Sequence, residues 1–132
     1  MKRFFAVLMI LVVLFLICGC SKTSVNKNSD VVLTFVYEEE NISVILEDDE
    51  AGKVINILNG NNYGPFSFGV PSCGFDKNIS LEVGGQTFAI ACDTCNCIQD
   101  LSNLRYFNIP KEDMEYIHSL FEQHGGYFPC IW

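Results

Sequence analysis

The sequence predicts an α+β domain in which a mainly antiparallel sheet of four to five strands is covered by two amphipathic helices. Short runs rich in β-branched and aromatic residues alternate with turn residues, and two other stretches carry apolar residues at helical spacing. Neighbouring β-rich runs are joined by tight turns, which favours antiparallel pairing. The predicted element order is ββαβββα, and the cysteine content indicates that disulfides staple the domain.

The first three elements are a hairpin and a helix. Val31–Tyr37 and residues 42–47 are apolar and β-rich, and the acidic segment 38–41 separates them. The apolar residues of the following segment recur at helical spacing: Ala51, Val54, Ile55 and Leu58. Asp48 is available as the N-cap, acids occupy the first turn, and Gly60 lies just past the predicted end.

The second half of the domain predicts another hairpin, a further strand and a second helix. Apolar and polar residues alternate through residues 79–83, reach the turn Gly84-Gly85, and continue to alternate through residues 88–92. Residues 104–109 add a strand. Pro110 then opens a helix that Gly125-Gly126 closes. The apolar face of this helix consists of Met114, Ile117, Leu120 and Phe121.

The first twenty residues have the features of an export signal. Lys2 and Arg3 precede an unbroken apolar run that extends to Cys18. At ~1.5 Å per residue this run is ~22 Å long, whereas a spanning helix must cross ~30 Å of hydrocarbon. The ending Ile-Cys-Gly-Cys at 17–20 resembles the bacterial lipobox. This resemblance to bacterial lipoproteins implies cleavage before Cys20 and acylation of Cys20, with residues 1–19 as the signal peptide.

The rest of the chain is organised as residues 20–30, a lipidated cysteine with a polar, flexible tether, and residues 31–132, a single small α+β domain. The lipoprotein resemblance implies a location on the outer face of the cytoplasmic membrane, or in the outer membrane of a Gram-negative cell. Removing residues 1–19 leaves six basic against sixteen acidic residues, a net charge of −10. This balance argues against nucleic acid and against adhesion to anionic lipid, and fits a cationic partner or solubility alone.

The spacing of the cysteines predicts specific bridges. Five cysteines follow residue 20: Cys73, Cys92, Cys95, Cys97 and Cys130. If Val83 faces Gln86 across the predicted Gly-Gly turn, the same register extended along the hairpin brings Cys73 beside residue 96. We therefore predict that Cys73 pairs with Cys95 or Cys97. Cys130 is predicted to pair with Cys92, and one thiol remains unbridged.

The spacing of Cys92 and Cys95 is also that of thiol redox proteins, in which a helix N-terminus lowers the pKa of the first cysteine. Only thirty-seven residues follow Cys95, too few for the helix, strands and cis-proline strand that follow the motif in a thioredoxin-like domain. A zinc site formed by Cys73, Cys92, Cys95 and Cys97 lacks the paired knuckles of zinc ribbons. We expect neither a metal nor a cofactor.

The longest predicted connection, residues 59–74, is the candidate binding surface, because loops of this length are uncommon in compact domains and are often functional. It carries Tyr63, Phe66 and Phe68, while Pro65 and Pro71 stiffen its path. Its aromatic rings could alternatively fold back over an edge of the sheet.

The sequence favours a lipid-anchored, non-catalytic binding or inhibitory module at the bacterial cell envelope. It would contact the membrane through its N-terminal lipid and bind an unidentified protein or envelope partner. Two alternative functions are an exported thiol-disulfide oxidoreductase that uses Cys92 and Cys95, and a structural envelope lipoprotein.

The two histidines do not indicate a metal site. His118 and His124 are six residues apart, about 240° around a helix, so they share no face and form no metal pair.

Overall fold

The computed structural model describes residues 21–64 and 72–125, together with positions 7, 9 and 10. Its strands are β1 (Val31–Tyr37), β2 (Glu40–Ile45), β3 (Phe75–Val83), β4 (Gln86–Ala91), β5 (Cys97–Asp100) and β6 (Arg105–Asn108). Its helices are α1 (Asp48–Leu58) and α2 (Lys111–Gly125). The strands form one antiparallel sheet in the order β2-β1-β3-β4-β5-β6. The predicted α+β class, with two helices on a mainly antiparallel sheet, is confirmed.

The strand count is higher than predicted. The sheet has six strands rather than four to five, because β5 adds a strand between the second hairpin and β6. This strand has only four residues, which is too short for a clear alternating pattern. Its residues Cys97, Ile98 and Asp100 are all buried, so the strand is covered on both faces.

The core lies between the helices and one face of the sheet. Across the sheet, Leu33 is opposite Leu81, and Leu81 in turn is opposite Phe88. Further along, Ile98 is opposite Phe107. Both helices add buried apolar residues to the same cluster. Each fully buried side chain of this kind contributes about 1.5–3 kcal/mol to folding, so the shared apolar face accounts for the layered arrangement.

The two helices also contact each other. The Lys53 ammonium lies 3.5 Å from the centroid of the Tyr116 ring. Gln123 donates a hydrogen bond to the Glu50 carboxylate at 3.0 Å, and His124 Nε2 lies 3.2 Å from the same carboxylate. The contacts of Glu50 join the start of α1 to the end of α2, and the Lys53–Tyr116 contact lies midway along both helices.

The helix boundaries differ slightly from those predicted. Glu47 occupies the N-cap position of α1 without a side-chain cap, so Asp48 lies in the first turn with the other acids. Carboxylates at this position still interact favourably with the helix dipole. At the end of α2, a Cβ on Gly125 would lie 2.7 Å from the Phe35 ring, so only glycine fits this approach.

The register of the strands gives the sheet two ends. We call one of them the lower end. The β3–β4 turn and the β5–β6 turn (residues 101–104) lie there, since Val83 pairs with Gln86 and Asp100 pairs with Arg105. At the opposite, upper end lie the β1–β2 turn and residues 92–96, since Tyr37 pairs with Glu40. Features at these two ends are separated by the length of the strands.

Residues 21–30 pack along the lower end of the sheet. The Thr23 amide donates to the Asn61 carbonyl at 2.8 Å, and the Gly60 amide donates to the Thr23 carbonyl at 2.9 Å. The Val25 amide donates to the Asn59 side chain at 2.8 Å, and both Thr23 and Val25 are buried. The structure therefore differs from the flexible tether expected for residues 20–30. Within the described part of the chain, no helix is both long and apolar enough to cross a membrane.

Candidate binding cleft beside the disulfide

A disulfide joins Cys73 to Cys95 at the upper end of the sheet, with the two Cα atoms 5.9 Å apart. The predicted pairing of Cys73 with Cys95 or Cys97 is thus resolved in favour of Cys95. Cys73 lies just before β3, and Cys95 lies in the connection between β4 and β5. The bridge therefore ties the end of the 59–74 loop to the connection that follows β4.

Asp93 holds the same two segments together. Its carboxylate accepts hydrogen bonds from the Gly74 amide at 2.6 Å and from the Cys95 amide at 2.8 Å. Among the residues that the structure describes, Cys73, Asp93 and Cys95 form the one group spaced to hold a metal ion. Metal ligation by cysteine requires thiolates, whereas both sulfurs here are joined in the disulfide. In this oxidised state the three residues join the segment before β3 to the connection after β4.

The remaining described cysteines, Cys92 and Cys97, are buried. Burial, assisted by the charge of Asp93, raises the pKa of the Cys97 thiol to about 11. At neutral pH Cys97 is therefore a thiol and a weak nucleophile. The prediction that Cys92 pairs with Cys130 stays a prediction, because Cys130 lies outside the described residues.

A cleft of about 390 Å³ opens directly beside the disulfide. We call it the disulfide cleft, and its lining residues are Asp93, Thr94, Cys95, Asn96, Lys111, Met114, Glu115 and His118. One wall is the 93–96 turn, which the bridge and Asp93 fix in place. The other wall is the first half of α2, where Lys111 and Glu115 form an exposed ion pair at 3.4 Å. The cleft combines apolar, amide, acidic and basic groups.

His118 belongs to the helical wall of the disulfide cleft. Its Nε2 lies 3.2 Å from the Ala91 carbonyl oxygen. Because a carbonyl can only accept, this contact assigns the proton to Nε2. Burial lowers the pKa of His118, and the Ala91 carbonyl, Glu122 and Glu115 act in the opposite direction. The net shift is downward, so the imidazole is neutral at neutral pH.

We expect the wild-type protein to lose stability relative to a His118→Gln variant as the pH falls below about 6.5, the ordinary histidine value. With a lowered pKa in the folded state, the unfolded chain takes up the proton first, so stability rises with pH in this window. Urea unfolding of both proteins between about pH 5 and 7.5 measures the difference. A difference between the wild type and His118→Gln that does not change with pH would contradict the prediction.

The predicted binding loop is described only at its two ends. Residues 65–71 are outside the described residues, so nothing is established about Phe66 and Phe68. Tyr63 is half-buried, and its hydroxyl donates to Asp100 at 2.5 Å. Its ring packs edge-on against Phe107 at 5.9 Å and lies 4.4 Å from the Arg105 guanidinium. Tyr63 is thus engaged by the domain itself, which limits the surface that it can offer to a partner.

Burial, followed by the contact with Asp100, raises the pKa of Tyr63 to about 12. The buried Asp100 carboxylate also accepts hydrogen bonds from the Ser102 amide at 2.9 Å and the Asn103 amide at 3.2 Å. The Asn103 side-chain amide donates to it at 2.7 Å. This cluster was not predicted from the sequence, although Asp-Leu-Ser-Asn at 100–103 is a pattern in which aspartate caps a turn.

A second cleft, of about 380 Å³, lies at the lower end of the sheet. Its lining residues are Ser21, Lys22, Ser24, Tyr63, Asn103 and Arg105. The Arg105 guanidinium donates a hydrogen bond to the Ser21 hydroxyl. The first described residue after the lipobox-like sequence is thus attached to the start of β6.

Comparison of the chain with protein-family models, with curated proteins and with solved structures finds no match. Its function is therefore inferred from three features: the lipobox-like N-terminus, the docked segment 21–25 and the disulfide cleft. The first concerns the location of the protein, and the other two concern which surfaces it can offer there.

Proposed function

We propose that this protein is a lipid-anchored, non-catalytic binding protein of the bacterial cell envelope, held on the outer face of the cytoplasmic membrane or in the outer membrane. The lipobox-like sequence ending in Cys20 supports the anchor. The Cys73–Cys95 disulfide fits an oxidising, exported location. With a net charge of −10 after cleavage, the protein is suited to a protein or envelope partner and unsuited to nucleic acid.

The observation that carries the binding role is the disulfide cleft. The 93–96 wall is held by a covalent bridge and by the hydrogen bonds of Asp93, and the α2 wall is held by the contact of His118 with the Ala91 carbonyl, so little conformational freedom remains to be lost on binding. Its volume of about 390 Å³ falls in the range of small-ligand and side-chain pockets. It lies at the upper end of the sheet, away from Ser21, and so on the side opposite the proposed anchor.

The composition of the cleft favours a partner segment that carries an apolar and a cationic group. Met114 and the disulfide supply apolar surface, whereas Asp93 and Glu115 supply negative charge beside Lys111. The acidic balance of the whole domain would attract such a cation from a distance. Because Cys73 joins the 59–74 loop to the cleft, Phe66 and Phe68 are proposed to extend the same recognition surface.

The anchor is tested by Cys20→Ser in the native host. We expect uncleaved precursor to accumulate, fatty-acid labelling to disappear and the protein to leave the detergent phase, because the acylated residue is gone. Cys18→Ser is the matched control, since it replaces a nearby cysteine of the same segment and should be processed normally. Normal processing and labelling of Cys20→Ser would exclude the lipid anchor.

The cleft is tested by site-specific photo-crosslinking in intact cells. A photoreactive residue in place of Thr94, an exposed residue of the cleft, should yield a discrete adduct, whereas the same residue in place of Glu82, at the lower end of β3, should not. Phe66→Ala and Phe68→Ala should each reduce the Thr94 adduct about fivefold or more, as expected when about 1 kcal/mol of binding energy is lost. Equal labelling at both positions would exclude the cleft as the binding site.

A thiol-disulfide oxidoreductase is the alternative, favoured by the half-buried position of the Cys73–Cys95 bridge at the edge of a cleft. The bond present joins Cys95 to Cys73, not to Cys92 as the redox motif requires. A redox enzyme would be reduced by low concentrations of dithiothreitol while still folded, and would reduce insulin. If the protein is a binding protein, the Cys73–Cys95 bridge should resist dithiothreitol until the domain unfolds. A purely structural envelope lipoprotein would give neither reduction nor a discrete adduct.

A further inference from the structure

We propose that the β5–β6 turn, residues 101–104, inserts into the membrane surface beside the lipid anchor, so that the lower end of the sheet faces the bilayer. This inference rests on the proposed acylation of Cys20. It adds a second contact with the same membrane, made by side chains of the folded domain. The occupant of this surface is the bilayer that holds the protein's own acyl chains.

The proposed lipid attachment point lies close to the β5–β6 turn. Consecutive Cα atoms are about 3.8 Å apart, so a lipid on Cys20 leaves the chain next to Ser21. Ser21 accepts a hydrogen bond from Arg105, which directly follows the β5–β6 turn. Lys22 pairs with Asn62, and Ser21 and Asn103 line the same lower cleft. The docked segment therefore holds the attachment point beside the turn.

The β5–β6 turn exposes two leucine side chains. Leu104 is 74% exposed and has a φ of +53°, a conformation that favours glycine or asparagine. Leu101, in the same turn, is 40% exposed. An exposed branched apolar residue in a strained conformation contributes little to folding, and such an outlier points to a role in function. Insertion between lipid headgroups would bury both leucines.

The backbone of the turn is suited to a less polar environment, because three of its amides are already hydrogen-bonded. The amides of Ser102 and Asn103 donate to the buried Asp100 carboxylate. The Leu101 amide donates to the Thr87 carbonyl at 2.9 Å. Backbone donors that are already bonded lose little on leaving water, whereas unbonded ones would oppose insertion.

The charge of the lower end is mixed and does not by itself draw it to anionic lipid. Lys22, Lys27 and Arg105 lie there, and so do Asp30, Asp48 and Glu82. The membrane contact therefore depends on the two leucines and on the proximity of the anchor. The disulfide cleft then points away from the bilayer.

The test uses the full-length acylated protein reconstituted into phosphatidylcholine vesicles, with Trp132→Phe removing its one tryptophan. Leu104→Trp provides a reporter in the turn, and Tyr37→Trp provides a matched reporter at the upper end, where Tyr37 is 44% exposed. Lipids brominated near the headgroup quench fluorescence only on contact. We expect at least about twofold quenching at position 104, as for side chains buried in the interface, and none at position 37.

Flotation with the vesicles is measured first for each variant. A protein that does not float refutes the acylation of Cys20 and, with it, this inference. A protein that floats but shows equal quenching at positions 104 and 37 refutes the membrane contact and leaves the anchor intact. Strong quenching confined to position 104 supports the contact.

Leu104→Asn tests the role of Leu104 without a tryptophan at position 104, which could distort the turn. Asparagine tolerates a positive φ, so the melting temperature should stay unchanged or rise. With a reporter at Leu101→Trp, adding Leu104→Asn should reduce the quenching by about half, since one of the two inserted side chains has become polar. Quenching that stays the same would overturn the role of Leu104.

Discussion

Asp100→Ala is expected to lower the free energy of unfolding by about 3–5 kcal/mol, the scale for removing one partner from a buried, charged network. The carboxylate is 0% exposed, and it accepts hydrogen bonds from the Tyr63 hydroxyl, two backbone amides and the Asn103 side chain. Its removal takes the acceptor away from the Tyr63 hydroxyl and from both backbone amides, whereas the Asn103 side chain keeps a 3.5 Å hydrogen bond to the Tyr63 hydroxyl. The loss should appear as a lower midpoint in urea unfolding at neutral pH.

Two further substitutions separate the contributions of this network. Tyr63→Phe removes one donor and keeps the carboxylate, so we expect a smaller loss of about 1–2 kcal/mol. Asp30→Ala, at an exposed position, is the control for loss of an acid and should stay within about 0.5 kcal/mol of wild type. If Asp100→Ala cost no more than Asp30→Ala, the cluster would contribute nothing to stability.

The paired substitution Cys73→Ser with Cys95→Ser is expected to destabilise the protein by about 3 kcal/mol, the value for a loop of this size in the chain-entropy account. The bridge spans a sequence separation of 22 and restricts the unfolded chain. Wild-type protein and the variant should show the same midpoint when both are unfolded in the presence of a reductant.

Cys97→Ser is the matched control for this second prediction. It also replaces a cysteine by serine at a buried position, but it opens no loop. We expect a loss of about 1–2 kcal/mol, from burial of a hydroxyl, and the same further loss on reduction as in wild type. A double variant as stable as the wild type would show that the bridge is dispensable for folding.

The sequence predicted the disulfide by an argument that was only partly correct. The hairpin keeps the expected register from Val83 opposite Gln86 to Ser80 opposite Ala89, but Phe75 then lies opposite Ala91. Three extra residues in β3 therefore shift the ladder before it reaches Cys73. The pairing still forms because residues 92–96 leave the ladder, and Asp93 draws the Gly74 and Cys95 amides together.

Local patterns predicted the two helices and every strand of the described sheet except β5, because apolar periodicity is set within each element. The docked N-terminus could not be predicted this way, since Thr23 bonds to Asn61, 38 residues further along the chain. Its polar neighbours suggested a tether, and only two alternating positions, Thr23 and Val25, are buried. Likewise, the disulfide cleft combines the 93–96 turn with α2, and no periodicity within either segment indicates their approach.

The docked segment also limits how far the protein can reach. Ten fully extended residues would carry a domain up to ~35 Å from its attachment point. Here the Thr23 and Val25 amides are hydrogen-bonded to the domain, so these residues belong to the fold and do not act as a spacer. If Cys20 carries the lipid, the distance from the bilayer surface to any part of the domain is limited to about the height of the domain itself. A partner would then have to come close to the membrane, or be embedded in it, to meet this protein.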